Sequence, residues 1–365
     1  MITVGVLGGG QLGRMLALAG YPLDMRFRFF DPASDAPVGH LAEHIAGRYT
    51  DFEALGRFAR GLDVVTYEFE NVPVEAVRFL EERVPVYPPS GALSVSQDRV
   101  TEKRAFMEYG IPTAPFEAVD TWEGLLAGIE RLGLPTVLKT RRMGYDGKGQ
   151  MVVKSKADAE GALATLGRQP LILEGFVPFS RELSIISVRD RKGNTAFYPL
   201  VENHHGDGIL RLSLAPAPNL TAELQAQAEG YAARVLDALQ YVGVLAIELF
   251  ETEGKLLANE MAPRVHNSGH WTIEGAETSQ FENHLRAIAG LPLGSTGMLG
   301  HAAMVNIIGE IPDEAGVLAV PGAHLHLYGK APRPGRKLGH ITLRGDNADG
   351  LRARAEGIGV IGVRD

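Results

Sequence analysis

Three things are missing from this sequence of 365 residues, and each absence narrows what the protein can be. There is no cysteine, which excludes disulfide bonds, thiol nucleophiles and zinc sites built from thiolates. The longest apolar runs have only the length of a strand, so a membrane-spanning helix is not expected. No basic region followed by a long apolar run opens the chain, so a secretory signal is not expected either. We therefore expect a cytoplasmic protein that does not bind a membrane.

Excess positive charge is also missing, because 36 basic residues against 44 acidic residues give a net charge of −8. Nucleic acid is therefore not an expected partner. The exception is the segment 330–344, KAPRPGRKLGHITLR, which holds five Lys or Arg residues and no acidic residue. Such a segment either binds an anionic small ligand or forms a solvated loop, and composition alone does not decide between them.

Glycine is abundant at the start of the chain, where residues 5–13 read GVLGGGQLG. Gly8, Gly10 and Gly13 fit the pattern G-x-G-x-x-G between an apolar strand and an amphipathic helix. Asp31 closes the next strand, MRFRFFD. This is the pattern of dinucleotide-binding domains, and it predicts a Rossmann-like α/β unit. Taken alone, it favours a nicotinamide-dependent dehydrogenase.

The chain changes character after the first hundred residues. Further strands are expected at DVVTYEFE and VPVYP, and one helix from near Ser94 to Tyr109. Beyond that helix β-hairpins dominate, where a dehydrogenase usually has a second βαβαβ half. We therefore predict a mixed α/β and α+β protein. Its domains are expected at 1–94 (Rossmann-like), 95–299 (with a small lid at about 113–175) and 300–365 (small and β-rich).

A glycine-rich hairpin is predicted at residues 138–154, LKTRRMGYDGKGQMVVK. It lacks the spacing G-x-x-x-x-G-K-[ST] of a P-loop. Gly144, Gly147 and Gly149 would let backbone N–H groups approach phosphate oxygens, and Lys139 would add a fixed positive charge. The alternative is a glycine hairpin that binds nothing.

Two glutamates are expected to face each other across a second hairpin. Glu248 interrupts the apolar strand VGVLAIELF, Glu260 ends KLLANE, and the turn near Gly254 joins them. Opposed carboxylates among apolar residues repel each other and are costly to bury, and a bound cation resolves both problems. Hard oxygen ligands beside a phosphate-binding loop suggest Mg²⁺. The alternative is a pair of solvent-facing glutamates.

Two further polar segments are candidates for binding. The loop APRVHNSGHWT at 262–272 follows Glu260 directly and fits substrate binding, although a single histidine is more often structural. Its polar residues are Arg264, His266, Asn267, Ser268 and His270. In the hinge LEGFVPFSRELSII, Glu174 and Glu182 flank a connection that can offer backbone groups to adenine and a carboxylate to ribose.

The order of five features along the chain resembles that of the ATP-grasp superfamily. They are a helix with Arg99, a strand lysine, a glycine hairpin, a hinge and a glutamate pair. Within it, the chain resembles the family of N5-carboxyaminoimidazole ribonucleotide synthases of purine biosynthesis from residue 3 to about 345. The segments that carry the resemblance are GGGQLGRM, TYEFENVP, GYDGKGQ, ENHHGDGILR, NEMAPRVHNSGHWT and GRKLGHITLR. RVHNSGHWT after Asn-Glu is specific, whereas GGGQLG alone is not. Met143 stands where we expect glycine before GYDGKG.

The resemblance implies a role for each matching residue. Contacts with ATP are implied for Arg99, Lys139, Gly144, Tyr145, Asp146, Gly147, Lys148, Gly149, Gln150, Glu174, Gly175, Phe176, Val177, Glu182, His205, Asn259 and Glu260. Catalytic roles around the aminoimidazole and bicarbonate are implied for Tyr145, Asp146, Arg264, His266 and Asn267. Substrate binding is implied for Gly10, Gln11, Leu12, Glu68, Glu70, Arg264, Ser268, Lys337 and Arg344. Lys337 and Arg344 would bind a 5′-phosphate together, across a bend or hairpin around Gly339 and His340.

The resemblance implies a reaction in which ATP, bicarbonate and 5-aminoimidazole ribonucleotide give ADP, phosphate and the N5-carboxylated ribonucleotide through carboxyphosphate, with Mg²⁺. It also implies a homodimer and a glycine turn that faces the ribonucleotide instead of a dinucleotide. Three alternatives stay open. They are an ATP-grasp ligase for another nucleophile, such as glycinamide ribonucleotide or an amino acid, a dinucleotide-dependent oxidoreductase, and a non-catalytic nucleotide sensor.

Overall fold

The computed structural model describes residues 1–144, 147–348 and 350–358, and the chain begins with a four-stranded parallel sheet in the order β3-β2-β1-β4. Its elements are β1 (Thr3–Leu7), α1 (Gln11–Gly20), β2 (Arg26–Asp31), β3 (Glu43–Ala46), α2 (Phe52–Ala59), β4 (Val64–Tyr67) and α3 (Val74–Glu81). All its strand pairs are parallel, so the Rossmann-like prediction is confirmed. The strand expected at VPVYP is wrong. Val86 forms an isolated bridge to Val65, because the prolines on either side cannot donate to a ladder.

Two helices and a small antiparallel sheet follow. The elements are α4 (Ser90–Ser96), α5 (Arg99–Glu108), β5 (Phe116–Val119), α6 (Trp122–Leu132), β6 (Thr136–Thr140), β7 (Gln150–Val153), α7 (Lys156–Leu166) and β8 (Leu171–Gly175), with the sheet order β5-β8-β6-β7. The single helix expected from near Ser94 is wrong, because the chain breaks at Asp98. Its carboxylate accepts the backbone N–H groups of Val100 and Thr101 and so begins a new helix at Arg99.

The remaining strands form one nine-stranded antiparallel sheet in the order β14-β13-β9-β11-β12-β15-β17-β16, with β10 paired to β9. Its strands are β9 (Arg181–Arg189), β10 (Thr195–Phe197), β11 (Val201–Gly206), β12 (Ile209–Ala215), β13 (Gly243–Thr252), β14 (Lys255–Ala262), β15 (His301–Ile308), β16 (Ala323–Leu327) and β17 (Lys337–Gly345). Its helices are α8 (Ala222–Ala238), α9 (Thr272–Gly275), α10 (Gln280–Ala289), α11 (Glu314–Leu318) and α12 (Leu351–Gly357). The C-terminal strands continue this sheet through the pairing of β12 with β15.

The two faces of this central sheet bury different helices. Leu183 and Ile185 of β9 pack with Val235 of α8 in one core cluster. Ile186 and Val188 of β9 pack on the other face, against α10 and α1. Because successive side chains of a strand alternate between faces, Glu182 and Ser184 share that second face. Glu182 and Ser184 therefore lie on the face of the central sheet that packs against the N-terminal unit. Across the residues described, no helix has both the length and the apolar character that a bilayer crossing requires.

Candidate active site

The glycine turn after β1 binds the protein's own carboxylates. Gly10 and Gly13 donate their N–H groups to the two oxygens of Glu68, at 2.7 and 2.9 Å, and Gly9 donates to Asp31 at 2.8 Å. A Cβ on Gly10 would lie 2.7 Å from the nearer Glu68 oxygen, so glycine is required for this approach. In a dinucleotide-binding domain such amides hold a pyrophosphate. A pyrophosphate at this turn would meet two carboxylates, which argues against the dehydrogenase interpretation.

A lysine from the C-terminal part of the chain reaches this turn. Lys330, in the loop between β16 and β17, donates a hydrogen bond to the side chain of Gln11. Burial lowers the pKa of Lys330 to about 8, against the opposing effect of Glu68 and with the help of the positive charges of Arg336 and Lys337. The turn at the N-terminus of α1 is therefore flanked by a carboxylate and by a group of cations.

The two basic residues expected to share a phosphate are far apart. Strand β17 continues from Lys337 to Gly345 with one bulge at Leu338 and no reversal of the chain, so the bend or hairpin expected around Gly339 and His340 is wrong. Seven residues of extended chain separate Lys337 from Arg344, which corresponds to about 23 Å. Arg344 is exposed at one end of the strand, whereas Lys337 at the other end lies close enough for its charge to act on Glu248. The two side chains therefore cannot bind one phosphate.

Cationic side chains form ion pairs with carboxylates at the place where the ATP phosphates were predicted to bind. Arg99 forms an ion pair with Glu260, and Lys139 Nζ lies 2.9 Å from Glu174 Oε2. Lys103, which is buried, lies 3.5 Å from the same oxygen. Burial alone would raise the pKa of Glu174, but Lys139 and Lys103 hold it below its usual range. The structure thus brings the predicted residues Arg99, Lys139, Glu174 and Glu260 together as a charge-balanced set of two ion pairs, with Lys103 as a further cation beside Glu174.

Two buried acceptor oxygens, one in this set and one beside it, have no hydrogen-bond partner among the residues that the structure describes. They are Glu174 Oε1 and Asn259 Oδ1. Asn259 is the unpaired residue of a β-bulge between Ala258 and Glu260, which turns it away from the regular ladder. Buried polar atoms are nearly always paired, so these two oxygens point to donors supplied by a ligand.

The predicted glycine hairpin is confirmed between β6 and β7, where Lys139 pairs with Gln150. Gly147 has a φ of 71° and packs closely against the turn between β11 and β12. Tyr145 and Asp146, predicted to be catalytic and to bind ATP, lie outside the described residues. The remaining members of the predicted phosphate-binding loop are Gly144, Lys148 and Gly149. We refer to residues 141–150 as the flap.

The base of the flap is tied to the start of α5. Asp98 accepts hydrogen bonds from Arg141 at 2.9 and 3.1 Å, and Arg99 donates its N–H group to the Arg141 carbonyl at 3.0 Å. Arg99 also reaches the carbonyl of Gly144 at 3.5 Å. Met143, where glycine was expected, has a φ of 61°, a conformation that glycine adopts without steric cost. The flap and Arg99, which was predicted to contact ATP, are therefore held at the same point of the structure.

The hinge after β8 was predicted to meet adenine and ribose. Gly175 ends β8, Phe176 is 47% exposed, and Val177 follows it toward β9. Glu182 lies near the start of β9, and its Oε2 is 3.2 Å from His205 Nδ1. Burial alone would lower the pKa of His205, but this carboxylate raises it. The structure therefore brings Glu182 and His205 together, and their contacts with a nucleotide stay a prediction.

The predicted glutamate pair is confirmed as a pair, because Glu248 and Glu260 are register partners on β13 and β14. Glu248 Oε1 lies 3.2 Å from His266 Nε2. Burial alone would raise the pKa of Glu248, but the hydrogen bond from His266 and nearby positive charge such as that of Lys337 lower it to about 2. Within the described ranges no three His, Asp or Glu residues cluster as metal ligands. Two carboxylates suit Mg²⁺, which takes few protein ligands and completes its shell with phosphate and water oxygens.

The loop 262–272 crosses the same face of the sheet and is held by buried partners. Arg264 forms an ion pair with Glu70, and Asn267 exchanges two hydrogen bonds with Asn306, at 2.7 and 3.0 Å. Ser268 is fully buried. Each amide atom of Asn267 therefore makes one hydrogen bond within the protein, which anchors the loop to β15. Its predicted catalytic role stays a prediction.

The remaining acidic and histidine candidates are Glu68, Glu70 and His270. Of the two glutamates in TYEFENVP, Glu68 faces the glycine turn and Glu70 faces Arg264. His270 is fully buried, its ring is 4.9 Å from that of His340, and burial lowers its pKa well below the usual value. It is a neutral core residue.

Sequence reasoning missed several residues of this site. Lys103 follows Arg99 by four residues on α5, and this helical spacing was a signal for it. Lys330 stood in the basic segment but was not selected. Asn306 and Ser184 had no local signal, because their partners in loop 262–272 are 39 and 84 residues away.

Three family models match successive parts of this chain. A "Ribonucleotide synthetase preATP-grasp domain" matches residues 1–97, an "ATP-grasp domain" matches 104–281, and a "Phosphoribosylaminoimidazole carboxylase C-terminal domain" matches 302–354. Together with the charge-balanced set and the glutamate pair, these matches define an ATP-grasp enzyme.

Curated relatives make the assignment more specific. N5-carboxyaminoimidazole ribonucleotide synthase from Pseudomonas aeruginosa is 58% identical over 97% of both chains. The synthase of the same name from Bacillus subtilis is 43% identical over 93% of this chain and 90% of its own. The chain belongs to the N5-carboxyaminoimidazole ribonucleotide synthase family.

Solved structures agree with this assignment. The crystal structure of N5-carboxyaminoimidazole ribonucleotide synthetase from Thermus thermophilus has a TM-score of 0.94 and 60% identity, and the match covers 99% of both chains. The Aspergillus clavatus synthase in complex with ADP and 5-aminoimidazole ribonucleotide has a TM-score of 0.92 and 35% identity, with 98% of this chain and 97% of that chain covered. The predicted fold class is confirmed.

Proposed function

We propose that this chain catalyses the ATP-dependent carboxylation of 5-aminoimidazole ribonucleotide with bicarbonate. The products are ADP, phosphate and N5-carboxyaminoimidazole ribonucleotide, an intermediate of purine biosynthesis. The observation that carries the proposal is that the charge-balanced set, the glutamate pair and loop 262–272 contact one another. Arg99 pairs with Glu260, His266 lies against Glu248, and Glu174, the partner of Lys139, is close enough for its charge to act on Arg99. The relative from Aspergillus clavatus holds ADP and the aminoimidazole ribonucleotide, the two kinds of ligand that this reaction requires.

The chemistry demands a closed, charged site. Bicarbonate is a poor electrophile because hydroxide is a poor leaving group. Transfer of the γ-phosphoryl group of ATP to a bicarbonate oxygen gives carboxyphosphate, from which inorganic phosphate leaves when the amino nitrogen of the ribonucleotide attacks the carboxyl carbon. Carboxyphosphate reacts with water, so water must be kept out while it exists. The flap, tied at its base beside Arg99, is the element that can close over it.

ATP binding exchanges internal ion pairs for pairs with phosphate. Arg99 and Lys139 are paired with Glu260 and Glu174, so nucleotide phosphates would replace carboxylates without stranding a buried cation. The unpaired Oε1 of Glu174 is then free to accept a hydrogen bond from the adenine amino group. This agrees with the predicted roles of these residues.

Mg²⁺ is the metal that the glutamate pair fits. Glu248 and Glu260 would hold it with hard oxygen ligands from two neighbouring strands. When bound, the ion offsets charge on the phosphate oxygens during phosphoryl transfer. The release of Glu260 from Arg99 would then supply a carboxylate to the metal and a guanidinium to the nucleotide at the same time.

In this proposal the ribonucleotide binds beside the glycine turn. Lys330, Arg333, Arg336 and Lys337 act on one another electrostatically near Gln11, and a 5′-phosphate would stabilise this cluster. Arg264 and His266, next to the glutamate pair, are placed to meet the aminoimidazole and bicarbonate. The predicted cytoplasmic location rests on the sequence composition and the predicted homodimer on the family resemblance, and light scattering on the purified protein tests the dimer.

The decisive experiment measures ADP release and incorporation of ¹³C-bicarbonate with ATP and Mg²⁺, with and without 5-aminoimidazole ribonucleotide. We expect both signals to require the ribonucleotide for full rate, and glycinamide ribonucleotide not to replace it. Carboxylation of glycinamide ribonucleotide, or bicarbonate-independent ADP release that only an amino acid stimulates, would overturn the proposal in favour of another ATP-grasp ligase.

Glu260→Gln tests the metal assignment. Loss of one of two carboxylate ligands should reduce Mg²⁺-dependent ADP formation by at least about a hundredfold, because charge neutralisation of the phosphates is lost. Glu253→Gln, an exposed change at the tip of the same hairpin, is the matched control and should keep wild-type activity. Undiminished ADP formation by Glu260→Gln at saturating Mg²⁺ would remove Glu260 from the metal site.

A further inference from the structure

A row of buried hydroxyl and amide groups crosses the central sheet and ends at His266. His266 Nδ1 lies 2.9 Å from Ser268 Oγ, and Ser184 donates its hydroxyl to Ser268 at 2.7 Å. Asn203 donates its side-chain N–H to Ser184 at 3.0 Å and accepts from Ser213 at 2.7 Å. Both Ser184 and Ser268 are 0% exposed. These contacts belong to β9, β11, β12 and loop 262–272, and the proposed reaction has so far used only His266.

The donors decide which nitrogen of the His266 ring carries the proton. The backbone N–H of Ser268 points at Nδ1 from 3.4 Å, and a backbone N–H can only donate. The side-chain row runs in the same direction, since Asn203 donates to Ser184 and Ser184 donates to Ser268. The Ser268 hydrogen is therefore left for Nδ1. Nδ1 is an acceptor, and the proton of the neutral ring lies on Nε2, 3.2 Å from Glu248 Oε1.

We propose that Ser268, Ser184 and Asn203 are positioning residues that hold His266 with its Nε2–H directed at Glu248. A histidine that donates to a ligand carboxylate fixes the direction of that carboxylate and leaves its second oxygen free. We call the row formed by Asn203, Ser184 and Ser268 the relay. It gives Ser268, which was predicted to contact substrate, the role of supporting His266 instead. It also makes Nε2 of His266 a hydrogen-bond donor toward Glu248.

The expected change in kcat rests on the proposed function, whereas the expected tautomer of His266 does not. Protein labelled with ¹⁵N-histidine gives separate signals for the two neutral tautomers in long-range ¹H–¹⁵N spectra, without substrate or metal. The His266 signal is identified by its absence in His266→Gln. We expect the wild type to show the Nε2–H form, and Ser268→Ala and Ser184→Ala to show a mixture of both forms.

Ser187→Ala is the matched control. Ser187 lies on β9 with Ser184, is equally buried, and donates its hydroxyl to the Leu245 carbonyl at 3.1 Å on the other face of the sheet. It should keep the wild-type spectrum and a kcat within twofold. Ser184→Ala should lower kcat by about tenfold with the KM for ATP within twofold, because loss of such a supporting contact typically costs 10–100-fold. Asn203→Asp, which can replace the donor with an acceptor, should shift the signal toward Nδ1–H.

Each outcome separates the two claims. An Nδ1–H signal in the wild type, or unchanged spectra in both Ser184→Ala and Ser268→Ala, would overturn the relay whatever the enzyme carboxylates. If Ser184→Ala and Ser187→Ala lose the same activity and the same thermal stability, the serine is structural and the relay is likewise overturned. If the spectra change as expected but aminoimidazole ribonucleotide is not carboxylated, the proposed function fails and the relay stands.

Discussion

At the scale of single residues, Lys330 combines burial with positive neighbours. Burial lowers its pKa to about 8, and Arg333, Arg336 and Lys337 act in the same direction against the attraction of Glu68. A bound phosphate dianion would offset this cost, because its negative charge favours the protonated form of Lys330. An anionic ligand should therefore stabilise the protonated form of Lys330.

This predicts a pH dependence of substrate binding. As pH rises through about 8, unliganded Lys330 loses its proton, so the KM for 5-aminoimidazole ribonucleotide should increase while the KM for ATP changes little. Lys330→Arg should abolish the increase, because arginine keeps its charge. Lys330→Ala should raise this KM about tenfold or more at pH 7, since a charge-assisted hydrogen bond contributes about 1.5–3 kcal/mol.

Arg344→Ala is the control for this experiment, because Arg344 is exposed at the far end of β17. Surface charges contribute little, so its ribonucleotide KM should stay within twofold of wild type. A KM for Lys330→Ala that is no higher than that of Arg344→Ala, or a wild-type KM that stays constant between pH 7 and 9, would exclude Lys330 from the phosphate site.

At the scale of elements, the flap must meet the turn between β11 and β12. A Cβ on Gly147 would lie 2.7 Å from the Gly208 Cα and 3.1 Å from the Asp207 carbonyl oxygen, and its φ of 71° favours glycine as well. Gly147→Ala should therefore keep the flap from settling on this turn and lower kcat several-fold. In hydrogen exchange, ATP–Mg²⁺ should protect the amides of residues 147–153 in the wild type but not in the variant.

Gly161→Ala provides the matched comparison. Gly161 lies in α7, on the same small sheet unit, and a Cβ there meets nothing within 4 Å. Alanine is the better helix former, so this variant should keep wild-type kcat and flap protection. Equal protection by ATP–Mg²⁺ in Gly147→Ala and wild type would show that contact with the β11–β12 turn does not order the flap.

The elements also explain which predictions succeeded. The two hairpins that carry Lys139 and the Glu248–Glu260 pair were predictable, because in each a glycine-containing connection separates two apolar strand segments that are neighbours in sequence. The bulge at Asn259, which brings Glu260 opposite Glu248, was not predicted. The bend predicted in β17 failed for the opposite reason. Gly339 permits a turn, but the partners on both sides of the strand keep it extended, and these partners are distant in sequence.

The candidate site divides in the same way. Residues that follow one another along a loop, such as Arg264 and His266, were found from their pattern. Asn306 was not found, because an amide that anchors a loop from 39 residues away leaves no local trace. Nor could the sequence reveal that Glu68 occupies the amides of the glycine turn, since a nucleotide phosphate satisfies the same donors.

At the scale of the whole molecule, neutral histidines are buried where the sheet systems meet. His284 of α10 accepts the N–H of Val244 at 3.0 Å and bonds the hydroxyl of Thr66 at 2.8 Å, so it joins the central sheet to the N-terminal sheet. Burial lowers its pKa to about 3. Burial likewise lowers the pKa values of His270 and His340 well below the usual value.

These three groups predict acid sensitivity of the fold. In the unfolded chain each takes up a proton near pH 6.5, whereas in the folded protein each stays neutral to far lower pH. The unfolded state therefore binds more protons, and stability falls as pH falls. Each histidine should contribute a loss of about 1 kcal/mol between pH 6.5 and 5.5. Buried Glu102 offsets part of this loss, because burial raises its pKa to about 8 and the folded state therefore keeps a proton that the unfolded state releases. The raised pKa of His205 has its effect above about pH 6.5 and does not offset this loss.

Urea unfolding at the two pH values measures this loss, and two variants assign it. His284→Gln should reduce the pH-dependent part by about 1 kcal/mol, because the replacement has no proton to gain on unfolding. His324→Gln, an exposed change on β16, removes a histidine that water solvates in both states and should leave the pH dependence unchanged. If both variants lose stability with pH as the wild type does, His284 titrates alike in folded and unfolded protein. The junction between the two sheets would then not be held by a neutral histidine.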